Sequence, residues 1–185
     1  MKIFYDTEFL ERGSQYPIDL ISIGMINERG EELYLINKDA PLDDIMAHPW
    51  LFKNVVPYLP IFHVEHESGE LGLYYWDGDM PDGHLLVSRT ELRDYVYKYI
   101  LDQKEEIELW AWYGAYDHVV LAQLWNTMAE LPAEVPMWTN DIRQEMQYVP
   151  VELRQGSPKK ENEHRAIDDA RWNKKLYDYI NQRQL

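Results

Sequence analysis

Residues 2–9 read KIFYDTEF, a run of aromatic and β-branched residues that carries the acidic pair Asp6 and Glu8. This composition predicts a first β-strand. Successive side chains of a strand point to opposite faces, so the two carboxylates share a face, with their Cα atoms about 7 Å apart. Such a pair attracts a hard cation such as Mg²⁺, which prefers oxygen ligands. The alternative, more frequent for an isolated pair of this kind, is a strand end with solvated acids.

Two more strands are predicted directly after the first. Residues 18–27 (IDLISIGMIN) and 31–37 (EELYLIN) are typical of strands, and residues 27–30 supply the turn between them. The short connections predict an antiparallel meander. A capping-box sequence over 88–91 then opens a helix, residues 107–113 (IELWAWY) predict a buried strand, and further helices follow it. This order predicts an α/β fold.

The segments between these elements are less regular. Residues 41–59 are predicted to be helical in pieces, and residues 60–84 could hold a hairpin or a mobile loop. Residues 139–147 predict a short helix that begins at Thr139 or Asn140. We expect a polar loop over about 150–163 before a last helix.

Length and composition exclude several classes of protein. The chain has 185 residues, which predicts a single domain over 1–185. It has no cysteine, which rules out a disulfide scaffold, cysteine-ligated zinc and a cysteine nucleophile. The absence of cysteine also suits a reducing compartment, so we expect a cytoplasmic protein. No apolar run approaches the roughly 18 residues of a membrane span, so no membrane partner is expected.

The charge of the chain is strongly acidic and unevenly spread. The net charge is −15, which argues against wrapping a long stretch of duplex. Residues 151–185 nevertheless carry 8 basic and 6 acidic residues. This segment could bind an anionic substrate, or it could be the solvated face of a terminal helix. The candidates for phosphate contacts are Arg154, Lys159, Lys160 and Arg165.

Further residues that could carry chemistry lie beyond the first strand. Asp117 follows the aromatic strand and would, alone, be explained as a helix cap. His164, Asp168 and Asp169 lie at the start of the last helix, where acids favour the helix dipole. Taken together with the acidic pair, these residues form a set of carboxylates suitable for two divalent ions about 3.5–4 Å apart. The histidine could take a proton from an attacking water, since its ordinary pKa lies near neutrality.

The same residues resemble the DEDDh 3′→5′ exonucleases. The resemblance rests on FYDTEF (4–9), IDLISIG (18–24), ELWAWYGAYDHVVLAQLW (108–125) and HRAIDDAR (164–171). It implies a ribonuclease H-like mixed sheet flanked by helices, and the similarity is to stand-alone members of the family that act on adenylate-rich RNA. The implied reaction removes nucleoside 5′-monophosphates from the 3′ end of single-stranded RNA or of an RNA 3′ overhang. A homodimer is also implied.

The resemblance further implies the roles of individual residues. Asp6, Glu8, Asp117 and Asp169 would hold two Mg²⁺ ions, or Mn²⁺ in their place, and His164 would be the general base. A helical wheel places Asp168, rather than Asp169, on the face of His164, but the family spacing favours Asp169.

Four residues are candidates for substrate binding. Thr7 and Phe9 flank the acidic pair where the family meets the terminal nucleotide, although Phe9 could equally be a core residue. Trp112 could stack on a base, but a tryptophan in a buried strand, like its neighbour on the same face, Trp110, is usually a packing residue. Arg165 is the basic candidate beside His164.

Two other functions remain open from the residues alone. A DNA 3′→5′ exonuclease would use the same fold and metals, because a contact to the RNA 2′-hydroxyl cannot be located in the sequence. A non-catalytic nucleic-acid-binding module would be favoured by loss of a metal carboxylate or of the histidine, and all these positions are filled.

Overall fold

A six-stranded mixed sheet forms the centre of the protein. The computed structural model describes residues 1–64 and 73–182. Its strands are β1 (Lys2–Leu10), β2 (Asp19–Asn27), β3 (Glu32–Asn37), β6 (Leu86–Val87), β7 (Glu108–Ala111) and β8 (Asn140–Asp141). Their spatial order is β6-β3-β2-β1-β7-β8. A separate hairpin consists of β4 (Ile61–Val64) and β5 (Leu73–Trp76).

The first three strands form the predicted antiparallel meander. Asp6 pairs with Gly24, and Gly24 pairs with Tyr34 on the next strand. On its other side β1 is parallel to β7, with Phe4 opposite Trp110. Because parallel strands end at the same edge of a sheet, the acidic end of β1 lies beside the turn that follows β7.

Seven α-helices are described, and they flank the sheet. They are α1 (Leu42–Ala47), α2 (Pro49–Asn54), α3 (Arg89–Asp102), α4 (Ala115–Ala122), α5 (Ile142–Glu145), α6 (Val151–Gln155) and α7 (Ala166–Gln182). The longest, α7, packs across β1 and β2. At Gly24 the approach is so close that a Cβ atom would lie 2.4 Å from the backbone of Ala166 and Ile167. A side chain at this position would therefore push the start of α7 off the sheet.

The two faces of the sheet are covered by separate apolar clusters. One joins Tyr5 and Ile23 to Leu92 and Val96 of α3. The other includes Phe4 and α7 residues such as Leu176 and Ile180. These two clusters give the layered α/β arrangement that the sequence predicts.

The structure corrects two of the predicted segments. Residues 150–163 are not a continuous loop, because α6 lies within them. The predicted helix 139–147 is shorter: Asn140 and Asp141 form β8, and the Asp141 side chain caps α5 by accepting from the Arg143 backbone N–H.

The segment 60–84 contains the hairpin of β4 and β5, one of its two predicted alternatives. The rest of that expectation, over 65–72, lies outside the described residues. Within residues 1–64 and 73–182, no helix is both long enough and apolar enough to cross a membrane.

Candidate active site

An open cavity of about 480 Å³ lies at the end of β1. The acidic pair of β1 lines it, together with Asp117 from α4 and Asp169 from α7. His164 enters from the segment that precedes α7. The packing of α7 on β1 and β2 thus brings together residues as distant in the sequence as Asp6 and Asp169.

The tightest group in the cavity joins Glu8, His164 and Asp169. One potential ligand atom from each lies within 4.8 Å of the other two. Glu8 and Asp169 are buried, and the imidazole is partly exposed. Asp6 and Asp117 line the same cavity but lie outside this trio. The chemistry of the set, carboxylate oxygens with one imidazole, suits a hard divalent cation.

Burial and mutual repulsion raise the pKa values of these acids. Burial, with added repulsion from Asp169 and Asp117, raises the pKa of Glu8 to about 8. The pKa of Asp6 lies well above its ordinary value for the same reasons. Burial also raises the pKa of Asp117, to about 6. A bound cation would reverse these shifts, because it stabilises the ionised carboxylates.

Thr7 fixes the carboxylate of Asp117. Its backbone N–H donates to Asp117 Oδ1 at 2.8 Å, and its hydroxyl donates to the same oxygen at 2.7 Å. Thr7 is itself buried. The sequence predicts Thr7 as a substrate contact, whereas in the structure its two donors hold the Asp117 carboxylate.

Asp169 is held at both oxygens. The backbone N–H of His164 donates to its Oδ2 at 2.9 Å, and Lys160 Nζ lies 2.8 Å from its Oδ1. His164 adopts a left-handed backbone conformation with φ of 72°. Its ring meets the ring of Trp50 edge to face, with centroids 4.7 Å apart. These contacts orient the imidazole and the carboxylate toward the same cavity.

Asp168, the alternative to Asp169, is engaged elsewhere. Its carboxylate pairs with Arg171 at 2.6 Å and with Arg165 at 3.3 Å. Arg165 also pairs with Asp82 at 2.6 Å, and its guanidinium lies over the Tyr34 ring. Neither Asp168 nor Arg165 lines the acidic cavity as the described residues define it.

The predicted aromatic contacts divide between the cavity and the core. Phe9 lines the cavity and stacks on Tyr116, with ring centroids 5.9 Å apart and planes 5° apart. Trp112 also lines the cavity and meets Trp172 edge to face. Trp110 is buried against Tyr177, as its packing interpretation expects.

Three aromatic residues of the cavity were not predicted from the sequence. Trp50, Tyr113 and Tyr116 line it and are each about half exposed or more. The only signal for Tyr113 and Tyr116 was their position beside Asp117. No pattern pointed to Trp50, because it lies in the short helix α2, remote in sequence from the acidic motifs.

Two comparisons at the sequence level find relatives with a stated activity. The family described as 3′-5′ exoribonuclease Rv2179c-like domain matches residues 76–181. The 3′-5′ exoribonuclease Rv2179c of Mycobacterium tuberculosis H37Rv is 39% identical over 145 residues, which is 78% of this chain and 73% of the relative. The 3′-5′ exoribonuclease MT2234.1 of strain CDC 1551 gives the same values.

A solved structure supports the fold. Pop2p from S. pombe, in a form with Mg²⁺ and Mn²⁺ bound, superimposes with a TM-score of 0.58 over 98% of this chain and 83% of its own. The sequence identity is 15%, so the likeness concerns the fold, which is ribonuclease H-like. The predicted mixed sheet with flanking helices is confirmed.

Proposed function

The chain belongs to the family of Rv2179c-like 3′-5′ exoribonucleases, and on that premise we propose that its acidic cavity hydrolyses RNA with the help of two divalent ions. The observation that carries the proposal is the convergence of Glu8, His164 and Asp169 within 4.8 Å in a cavity also lined by Asp6 and Asp117. In a phosphodiesterase, such a group of carboxylates can hold the divalent ions that stabilise the attacking and leaving oxygens.

The proposed ligands are Asp6, Glu8, Asp117 and Asp169. Two ions held by these carboxylates would neutralise the charge that develops on the scissile phosphate. The raised pKa values of Glu8 and Asp6 support a cation here, because the cluster without one is electrostatically unfavourable. We propose Mg²⁺, with Mn²⁺ as a substitute, since both accept oxygen ligands.

His164 is the proposed general base. Its ring lies in the cavity beside Glu8 and Asp169, and contact with Trp50 restricts its orientation. A neutral imidazole so placed can take the proton of an attacking water. The same proximity would also allow a role as ligand, and kinetics separate the two. If His164 is the base, His164→Ala lowers kcat far more than it raises KM and leaves Mn²⁺ affinity within a few-fold.

The proposed substrate is the 3′ end of single-stranded RNA or of an overhang, and the product is a nucleoside 5′-monophosphate. Exposed aromatic rings around the cavity, including Trp50, Tyr113 and Tyr116, offer faces on which bases can stack. A preference for adenylate follows from the resemblance and is part of the proposal, as is the homodimer.

The experiment uses 5′-labelled RNA and DNA of one sequence, each incubated with Mg²⁺, Mn²⁺ or EDTA. We expect stepwise shortening from the 3′ end, loss of activity in EDTA and faster shortening of RNA than of DNA. RNAs with adenylate, uridylate or cytidylate tails then measure base preference. Equal shortening of DNA would indicate a DNA exonuclease. Binding without cleavage of either polymer would indicate a binding module.

A further inference from the structure

Lys160 brings a positive charge into the acidic cavity. Its Nζ lies 2.8 Å from Asp169 Oδ1, and its side chain is only 22% exposed. It lines the cavity together with Glu8 and Asp117. An ammonium group and a divalent ion repel each other, so a lysine among proposed metal ligands requires an explanation.

The surroundings of Asp169 indicate which of its two carboxylate oxygens can change partner. Oδ2 accepts a hydrogen bond from the His164 backbone N–H, which belongs to the local turn before α7. Oδ1 is buried and faces the ammonium of Lys160. One oxygen is therefore held by the backbone, and the other is held by a flexible side chain that can move.

A second contact of the Lys160 ammonium does not depend on Asp169. Lys160 Nζ lies over the ring of Trp172, 4.8 Å from its centroid. Trp172 is anchored, because its Nε1 donates to the Pro158 carbonyl oxygen at 2.9 Å and its ring meets Trp112. A cation on an indole face keeps part of its stabilisation without an anionic partner.

Lys160 also acts on the other acids of the cavity. It lines the same cavity as Asp6, Glu8 and Asp117, so its charge acts on these carboxylates as well. In the protein without a metal ion it therefore supplies part of the neutralisation that a divalent ion would supply.

We propose that Lys160 is an exchangeable counter-ion, which neutralises Asp169 in the metal-free cavity and gives up this carboxylate when a divalent ion binds. The ammonium then stays over Trp172 at the edge of the cavity. The inference rests on the proposed function, because it requires a divalent ion at Asp169. Metal binding and the Lys160–Asp169 ion pair exclude each other, so removal of the lysine charge strengthens metal binding.

The test measures Mn²⁺ binding to the full chain by calorimetry, without RNA. Lys160→Met is compared with Lys159→Met, which removes the same charge from the adjacent exposed position. The Lys159→Met control measures the general effect of removing one positive charge. We expect Lys160→Met to bind Mn²⁺ about tenfold more tightly than this control. In EDTA its Tm falls below that of the Lys159→Met control, and Mn²⁺ raises the Tm of Lys160→Met more than that of the wild type.

Two further variants keep the test decisive. Lys160→Arg retains the charge and should bind Mn²⁺ like the wild type, whereas Lys160→Gln retains a donor without the charge and should behave like Lys160→Met. Mn²⁺ binding to Lys160→Met and Lys160→Gln that is equal to or weaker than binding to the control would overturn the exchange and leave Lys160 as a support of Asp169. Wild-type protein that binds no Mn²⁺, or Asp169→Asn that binds it equally well, would instead contradict the proposed function.

Discussion

Thr7 and Asp117 are joined by two hydrogen bonds that end on one oxygen. The backbone N–H and the hydroxyl of Thr7, at 2.8 and 2.7 Å, both donate to Asp117 Oδ1. The two donors oppose the rise in pKa that burial imposes on this carboxyl. They also leave Oδ2 as the oxygen that is not committed to Thr7. Thr7, which lies between Asp6 and Glu8 on β1, thus orients the carboxylate of Asp117 on α4.

Thr7→Val should weaken the site without unfolding the protein. The valine removes the hydroxyl donor and keeps the backbone donor and the side-chain volume. Partners that orient metal ligands are typically worth 10–100-fold in affinity or activity, so we expect Mn²⁺ binding and kcat to fall by about tenfold. Calorimetry and single-turnover RNA cleavage measure these effects.

The matched control for this variant is Thr90→Val on the exposed surface of α3. It should leave both quantities unchanged. Equal Mn²⁺ affinity in Thr7→Val and the wild type would show that the hydroxyl is not needed to hold Asp117.

Removal of the charge of Asp169 should abolish most activity, whereas removal of the charge of the neighbouring Asp168 should affect stability rather than activity. Asp169→Asn should lower kcat by more than about 100-fold, because even the outer partners of metal ligands are worth 10–100-fold. Asp168→Asn should retain activity within a few-fold and lose up to about 1 kcal/mol of stability with its arginine pairs. Cleavage assays and urea unfolding of both variants measure the contrast. Loss of activity in Asp168→Asn with survival of Asp169→Asn would reverse the assignment.

The site could be predicted from the sequence where the chemistry depends on residue type and order. The alternation of β1 placed Asp6 and Glu8 on one face, and the resemblance supplied Asp117, His164 and Asp169. Lys160 is among the basic candidates that the sequence offers, but its ion pair with Asp169 could not be predicted, because tertiary packing brings the two together. The position of Trp50 in the cavity depends on tertiary packing in the same way. Arg165 illustrates the reverse case: its charge suggested a phosphate contact, whereas the fold supplies Asp82 and Asp168 as partners.

The fold could be predicted where local patterns were strong. The three-strand meander follows from strand-forming residues joined by short turn segments, and the helix opened by Ser88 follows from its capping box. The two-residue strand β8 could not be predicted, because its pairing with β7 depends on a distant segment. The helix α6 could not be predicted, because it has five residues, none of them buried, and lies in a polar segment with little signal of its own.

The metal-free protein should lose stability as the pH rises. The pKa of Glu8 is raised from 4.5 to about 8 in the folded protein, so the folded state retains a proton that the unfolded state releases. The free energy of unfolding therefore falls as the pH rises between these two values. In EDTA we expect the Tm to fall over this interval. Saturating Mg²⁺ should reduce the fall, because the ion stabilises the ionised acids. Thermal unfolding at a series of pH values measures both effects.

Glu8→Gln separates this local effect from the general repulsion of an acidic chain. Its Tm in EDTA should fall less over the same pH interval than the Tm of the wild type, by roughly 3 °C or more. The exposed variant Glu130→Gln should follow the wild type. Parallel curves for all three proteins would contradict a raised pKa at Glu8.

Gly24→Ala should damage stability and the site together. Gly24 lies opposite Asp6 in the sheet and beneath the first residues of α7. A Cβ atom there would be 2.4 Å from the backbone of Ala166 and Ile167, and backbone cannot rotate away as a side chain can. We expect a loss of about 3 kcal/mol, or roughly 6–12 °C in Tm. Since Asp169 lies in the first turn of α7, Mn²⁺ affinity should fall as well. Gly78→Ala is the control, because beyond its chain neighbours no atom lies within 4 Å of its added Cβ. A Gly24→Ala protein with wild-type Tm and Mn²⁺ affinity would show that α7 can shift without moving Asp169 out of the cavity.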